Sequence, residues 1–300
     1  MGTPEFAVPS LEAIHSEFGI SAVVTVPDKP QGRGQKVIPS PIKSKALKFN
    51  IPVLQPMKLK DEEFIEQIKS INPDIIVVIA FRILPKEVYT LAKIASFNIH
   101  GSLLPKYRGA APINWAIIKG ENKTGLTSFI LKDTVDTGDI LLIKEVEIEK
   151  SMNFGNLHDL LMPQAAELSI ETINLLLSGH YSPKNQNDTE SCPAPKLNKD
   201  NTKINWNNSS EDIINFVRGL SPHPTAWTTM NSNPLKIIEV NYFPSVKLEP
   251  GKFEITSKKF LIGTLNGSIE CLRLQPQNKN AMNVADFING YRGEKTGELV

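Results

Sequence analysis

Asn98 and His100 stand two residues apart in Ser96-Phe-Asn-Ile-His100, a short stretch rich in strand-forming residues. On a strand, residues two apart point to the same face, so an amide and an imidazole would be presented side by side. The imidazole can exchange a proton near neutral pH, and the amide can donate a hydrogen bond to a developing oxyanion. Together they suit attack on a carbonyl-type carbon. The same pair also fits a histidine that bonds backbone at a strand end, with Asn98 in a turn. A carboxylate beside the imidazole would orient it and favour its charged form. Asp133, Asp136 and Asp139 all lie in one Thr- and Gly-containing loop, and spacing alone does not choose among them.

These residues need a scaffold that brings loops together at one sheet edge. The first half of the chain alternates strand-like and helix-like stretches. Ile20 to Val26, Ile75 to Ala80 and Ser96 to His100 read as strands, and Leu59 to Ser70 has apolar residues at helical spacing. Such alternation predicts a doubly wound α/β domain with a mostly parallel sheet, which binds ligands beyond the carboxyl ends of its strands. Gly125 to Ile130 and Ile140 to Ile148 read as two further strands, and Leu157 to Leu177 as an amphipathic helix ending at Gly179. One element is out of place. The chain opens on Gly2-Thr3-Pro4, a loop signal, where a doubly wound sheet begins with a central apolar strand. A first strand is expected to be missing, most simply because the start codon was assigned too far downstream.

Residues 181–200 are polar and proline-containing and read as a linker. Beyond it a short helix, about Ser210 to Arg218, precedes five short strand-like stretches, at Ala226–Met230, Leu235–Phe243, Phe253–Thr256, Phe260–Thr264 and Ser268–Leu274. That pattern suggests a small barrel of the oligonucleotide-binding type. The expected division is therefore 1–180, a linker at 181–200, and 201–300. Trp206 and Trp227 are expected in the core of the second part. A length of 300 residues accommodates two domains. The net charge of +1 announces no nucleic-acid partner, so any basic surface must be local. The two cysteines, Cys192 and Cys271, form no Cys-x-x-Cys pair, which fits a cytoplasmic protein without a disulfide framework. No apolar run is long enough to span a bilayer, and no secretory leader, phosphate-binding glycine loop or metal-ligand motif is present.

Taken in order, Asn98-x-His100, Ser102-Leu-Leu-Pro105, Tyr107-Arg-Gly-Ala-Ala-Pro112 and Asp136-x-Gly138 resemble the folate-dependent formyltransferase family, and the similarity runs over essentially the whole chain. The resemblance implies that Asn98, His100 and Asp136 are the catalytic set and that 10-formyltetrahydrofolate is the co-substrate, with no metal. It implies folate contacts at Ser102, Leu103, Leu104 and Pro105. Phe81, Ile83 and Leu84 are expected along the pterin pocket, although they also fit the end of a core strand. It further implies a monomer, a catalytic domain at 1–180 and a tRNA-binding domain at 201–300.

The acceptor amine is read from a basic loop. From Lys29 to Lys48 there are six basic residues (Lys29, Arg33, Lys36, Lys43, Lys45 and Lys48) and no acidic one. Gly32 and Gly34 flank Arg33 and give the backbone freedom there. The stretch resembles the loop by which the tRNA-acting members hold an acceptor end, so the expected acceptor is the methionine amino group on initiator methionyl-tRNA. Lys29, Arg33 and Lys36, with Lys196 and Lys199, are the expected tRNA contacts. A formyl-folate hydrolase, an amino-sugar formyltransferase and an inactive tRNA-binding remnant are the alternatives. The basic loop and the second domain argue against the hydrolase, and the amino-sugar enzymes look different at the basic loop.

Overall fold

A computed structural model describes residues 1–31 and 36–300, and the chain divides into two compact units. The first comprises Met1–Pro112, Thr124–Glu147 and His158–Ala194, and the second Ile113–Lys123, Ile148–Leu157 and Pro195–Val300.

In order along the chain come α1 (Val8–Phe18), β1 (Val23–Val24), β2 (Lys29–Gln31), β3 (Lys36–Ile38), α2 (Pro41–Lys48), β4 (Val53–Leu54), α3 (Glu62–Ile71), β5 (Ile75–Ile79), α4 (Lys86–Tyr89), β6 (Ala95–His100), β7 (Arg108–Gly109), α5 (Pro112–Ile118), β8 (Lys123–Ile130), β9 (Ile140–Glu147), α6 (Phe154–Ser178) and β10 (Pro193–Ala194). Local chemistry marks the helix ends. Ser40 caps α2 by accepting from the Lys43 amide, with Pro41 as first helical residue. Asn72 closes α3 in the left-handed conformation at φ 52°. On α3, Phe64 and Ile68 turn inward to pack with Val24, Ile76, Val78 and Val88.

The first unit is an α/β structure. Strands β5 and β6 are parallel, β8 joins β6 in antiparallel sense, and β9 follows β8. Strands β1 and β4 form a separate parallel pair. Among the described residues, backbone hydrogen bonds of Met1 and Gly2 link the two groups. The Gly2 amide donates to the Val24 carbonyl, and the Ile79 amide donates to the Met1 carbonyl, with Gly2 parallel to Ile79. The predicted strand from Ile20 to Val26 is therefore cut to Val23–Val24. Regular pairing there ends where the neighbour on its inner side ends. The other predicted strands of this unit fall within a residue or two of β5, β6, β8 and β9.

The second unit contains α7 (Ser210–Leu220), β11 (Ala226–Met230), β12 (Asn233–Phe243), β13 (Lys252–Ile255), β14 (Phe260–Thr264), β15 (Gly267–Pro276), β16 (Met282–Asn283), α8 (Val284–Gly290) and β17 (Thr296–Glu298). The strands run β11-β12-β15-β14-β13-β17, antiparallel throughout, with β16 on β15. Register shifts in β12 opposite β15 bend the strand, as bulges do, and give the curl of an oligonucleotide-binding type of sheet. Ser209 caps α7, whose apolar face buries Ile213, Val217 and Leu220 against Ile237, Phe253, Phe260 and Phe287. Asn114 on α5 donates to the Gly219 carbonyl, and Arg218 reaches the Met152 carbonyl, so short pieces of the first half belong to this core. Trp206 is buried in that core, with its indole N–H donated to Thr228. Trp227 is not. It is half-exposed, and the ammonium groups of Lys199 and Lys203 lie 5.3 and 5.5 Å from its ring centroid. On β11, neighbouring residues alternate between faces, and Ala226 and Thr228 take the buried one.

Candidate active site

Asn98 and His100 lie in the carboxyl-terminal half of β6, with Asn98 level with Val78 of β5 and His100 the last residue of the strand. Register sets Asn98 opposite Phe129 and His100 opposite Thr127 on β8. The Asn98 side chain is partly exposed and makes no hydrogen bond among the described residues. His100 is 5% exposed, and its two nitrogens have different neighbours. Nε2 lies 2.8 Å from the Tyr107 carbonyl, which can only accept, so Nε2 carries a proton. Nδ1 lies 3.8 Å from Asp136 Oδ2. The strand-end histidine that bonds backbone and the histidine that faces a carboxylate are thus the same residue.

The three carboxylates of the loop divide by position. Asp133 accepts from the Tyr89 hydroxyl at 2.6 Å, and this hydrogen bond, with the carboxylate charge, pushes the phenol up to about 12. Asp139 accepts from Lys132 at 2.7 Å. Asp136 alone of the three faces His100, and it also accepts from the Gly109 amide at 2.9 Å. Its backbone is in the left-handed region at φ 55°, which turns the side chain back over β6. Gly138 permits that turn, since a Cβ there would sit 1.6 Å from the Ile130 carbonyl oxygen.

Ser102 is fully buried, with its hydroxyl donated to the Lys106 carbonyl. The Leu104 amide donates to Thr127 Oγ1, which in turn donates to the Ser102 carbonyl, so this loop is held down on β8. Leu104 is buried, whereas Leu103 and Pro105 are partly exposed. Beyond β5, Ala80 turns at φ 48°, Leu84 enters the core, Phe81 packs beside it, and Ile83 is 71% exposed.

A segment without any motif completes the arrangement. Lys184 exchanges backbone hydrogen bonds with Ile140, and β10 pairs in parallel with β7. Between these two anchor points, Gln186 donates 2.9 and 2.8 Å hydrogen bonds to the carbonyls of Asp136 and Gly138 and accepts from Arg108 at 2.7 Å. The Tyr107 amide donates to Cys192 Sγ at 3.3 Å. Gly109, at φ 125°, admits the strap, because a Cβ there would lie 2.6 Å from the Ala194 oxygen. Residues 184–194 therefore strap both site loops. Gln186 carries no motif in the sequence, whereas Arg108 stands in the Tyr107-Arg108-Gly109 motif and braces the loop as its place there suggests.

In the basic stretch, Lys43 pairs with Asp28 at 2.5 Å and with Gln55 at 2.7 Å, and Lys45 pairs with Glu12. Hydrogen bonds from Lys43 and Gln55 hold the Asp28 carboxyl below its ordinary range. Lys29 is exposed, as are Lys196 and Lys199 in the second unit. Arg33 and the side chain of Lys36 lie outside the described residues. Among the described residues, no group of three or more His, Cys, Asp or Glu is disposed to hold a metal ion, and no helix is long and apolar enough to cross a membrane.

Residues 1–173 match the formyl transferase family and residues 196–292 the formyl transferase C-terminal domain. The methionyl-tRNA formyltransferase of Clostridium acetobutylicum is 46% identical over 299 residues, which cover 98% of this chain and 96% of that protein. That of Chlorobium limicola is 43% identical, with coverage of 98% and 96%. Among solved structures, WlaRD, a sugar 3N-formyl transferase crystallised with dTDP and 5-N-formyl-THF, superimposes with a TM-score of 0.66 at 23% identity, over 93% of this chain and 97% of that one. HypX from Aquifex aeolicus in complex with tetrahydrofolic acid gives 0.60 at 18% identity, over 81% of this chain and 43% of that one. At these identities the solved structures share the fold.

Proposed function

Since the chain belongs to the formyl transferase family, we propose that it transfers the formyl group of 10-formyltetrahydrofolate to the methionine amino group of initiator methionyl-tRNA. Similarity over nearly the whole length to methionyl-tRNA formyltransferases supports this acceptor. The observation that carries the reaction is the convergence of Asn98, His100 and Asp136 at the strand ends.

The acceptor amine attacks the formyl carbon and builds a tetrahedral centre whose oxygen becomes negative. The unpartnered Asn98 amide supplies a hydrogen-bond donor for that oxygen, and His100, whose Nε2 proton is given to the Tyr107 carbonyl, offers Nδ1 as a site for the proton the amine must lose. The C–N bond to the folate then breaks, and the folate nitrogen takes the proton. Asp136 holds the imidazole in place. Ser102 to Pro105 and Phe81, Ile83 and Leu84 form the folate side of the site, where Leu103, Pro105 and Ile83 offer accessible apolar surface. Residues 1–180 act as the catalytic domain, 181–200 as the link and 201–300 as the tRNA-binding domain. Lys29, Arg33, Lys36, Lys196 and Lys199 contact the tRNA backbone. The enzyme acts as a cytoplasmic monomer.

The test is a transfer assay with labelled 10-formyltetrahydrofolate and charged initiator tRNA. Formyl-methionine is the expected product. Release of free formate without it would overturn the assignment in favour of hydrolysis.

A further inference from the structure

At the carboxyl end of β6, one rung of the sheet carries two side chains that hold the same loop. His100 of β6 lies opposite Thr127 of β8. The His100 imidazole bonds the Tyr107 carbonyl at 2.8 Å, at the far end of the loop 101–107. Thr127 holds the near end. Its hydroxyl accepts from the Leu104 amide at 3.1 Å and donates to the Ser102 carbonyl at 2.7 Å. A hydroxyl has one proton to give, so this pair of bonds fixes its orientation. Thr127 is fully buried, which shields both bonds from solvent.

Between the two holds the loop is closed on itself. Ser102 donates its hydroxyl to the Lys106 carbonyl at 2.6 Å, and the Lys106 amide donates to the Leu103 carbonyl at 3.1 Å. Strand β8 also makes room for the loop. Gly125 shares a face with Thr127, and a Cβ added there would lie 2.7 Å from Leu103 Cδ2. The neighbouring hydroxyls of β8 have other surroundings. Ser128 accepts from the Leu142 amide of β9, and the Thr124 hydroxyl is buried with no partner among the described residues.

We infer that Thr127 is a positioning residue for formyl transfer, which through its two bonds sets the Ser102–Pro105 loop, and with it the folate, against the His100 imidazole. The inference rests on the formyl-transfer reading and on folate contacts along that loop. Its physical basis is shared support. The loop and the imidazole are both referred to one rung, so their separation is set by two paired strand residues rather than by a free loop. Without the hydroxyl, the Leu104 amide and the Ser102 carbonyl lose a buried partner and must turn elsewhere. The loop then shifts while the imidazole stays on its strand, and a displacement of about 1 Å at a reacting centre can cost on the order of 10²-fold.

Formyl transfer by the full chain, with each substrate varied in turn, tests this beside tetrahydrofolate binding followed by intrinsic fluorescence. Thr127→Val keeps the shape of the side chain and removes the hydroxyl. It is expected to lower kcat/KM for 10-formyltetrahydrofolate by about 10–100-fold and to weaken tetrahydrofolate binding by roughly 10-fold. KM for the charged tRNA is expected to stay unchanged. Thr127→Ser keeps the hydroxyl and loses a buried methyl, so it is expected to lower Tm by a few degrees and leave the folate kinetics near those of the unaltered chain. Unaltered folate kinetics in Thr127→Val, an equal loss in Thr127→Ser, or a parallel rise in KM for the tRNA would overturn the role. Should Thr127→Val not fold, Thr127→Ser and Thr127→Ala both lack the methyl and differ only in the hydroxyl, and equal folate kinetics in that pair would overturn it. An unaltered chain that neither binds tetrahydrofolate nor forms formyl-methionine would instead overturn the formyl-transfer reading, and the role with it.

Discussion

The two ends of the sheet in the first unit are built from the same strands and finished in opposite ways. At the carboxyl ends, polar groups are gathered and tied. Asp136, Gly109, Arg108 and Gln186 form one hydrogen-bonded web beside His100, which bonds the Tyr107 carbonyl and faces Asp136 at 3.8 Å, and the Asn98 amide is left unpartnered. At the amino ends, the cavity between β1 and β5 is lined by apolar residues, among them Ala22, Val23, Ile75, Ile76 and Val77. Stability and reactivity are thus separated in space. Losses at the first end should appear in turnover, and changes at the second in unfolding.

The largest effect expected is at the first end. His100→Ala and Asp136→Ala should each cut formyl transfer by about 10²–10⁴-fold, the usual share of a positioned acid–base group, with Tm nearly unchanged. Near-normal turnover by either would break the contrast. Gln186→Ala should lower kcat about 10-fold, for a loss of ~1–1.5 kcal/mol of hydrogen bonding, with KM for folate little changed. Arg33→Ala, outside both ends, should raise KM for the tRNA several-fold and flatten its salt dependence, and an unchanged KM would leave the basic loop without that role.

Much of this was legible in the sequence. The strands at Ile75, Ser96, Gly125 and Ile140, and five of the seven in the second unit, were marked by apolar and β-branched runs between turn residues. Asp136 could not be told from Asp133 and Asp139, because all three are loop carboxylates and what separates them is the backbone turn at φ 55°. The strap was illegible for a related reason. Its residues are polar and carry no periodicity, and they become ordered by pairing with groups 78 and 85 residues away, as Arg108 with Gln186 and Tyr107 with Cys192 show. Trp227 was misplaced because its alternation on β11 is visible only once the buried face is known.

The strap also has a consequence for biosynthesis. Asp136 leaves the ribosome well before Gln186 and Ala194, and until they follow, Gln186 does not hold its loop carbonyls and β10 does not pair with Arg108 and Gly109. At ~5–20 residues per second the interval from Asp136 to Ala194 is roughly 3–12 seconds. For that time the nascent chain holds the reactive side chains without the clamp that aligns them, and competence arrives with the last stretch of the first unit to be synthesised.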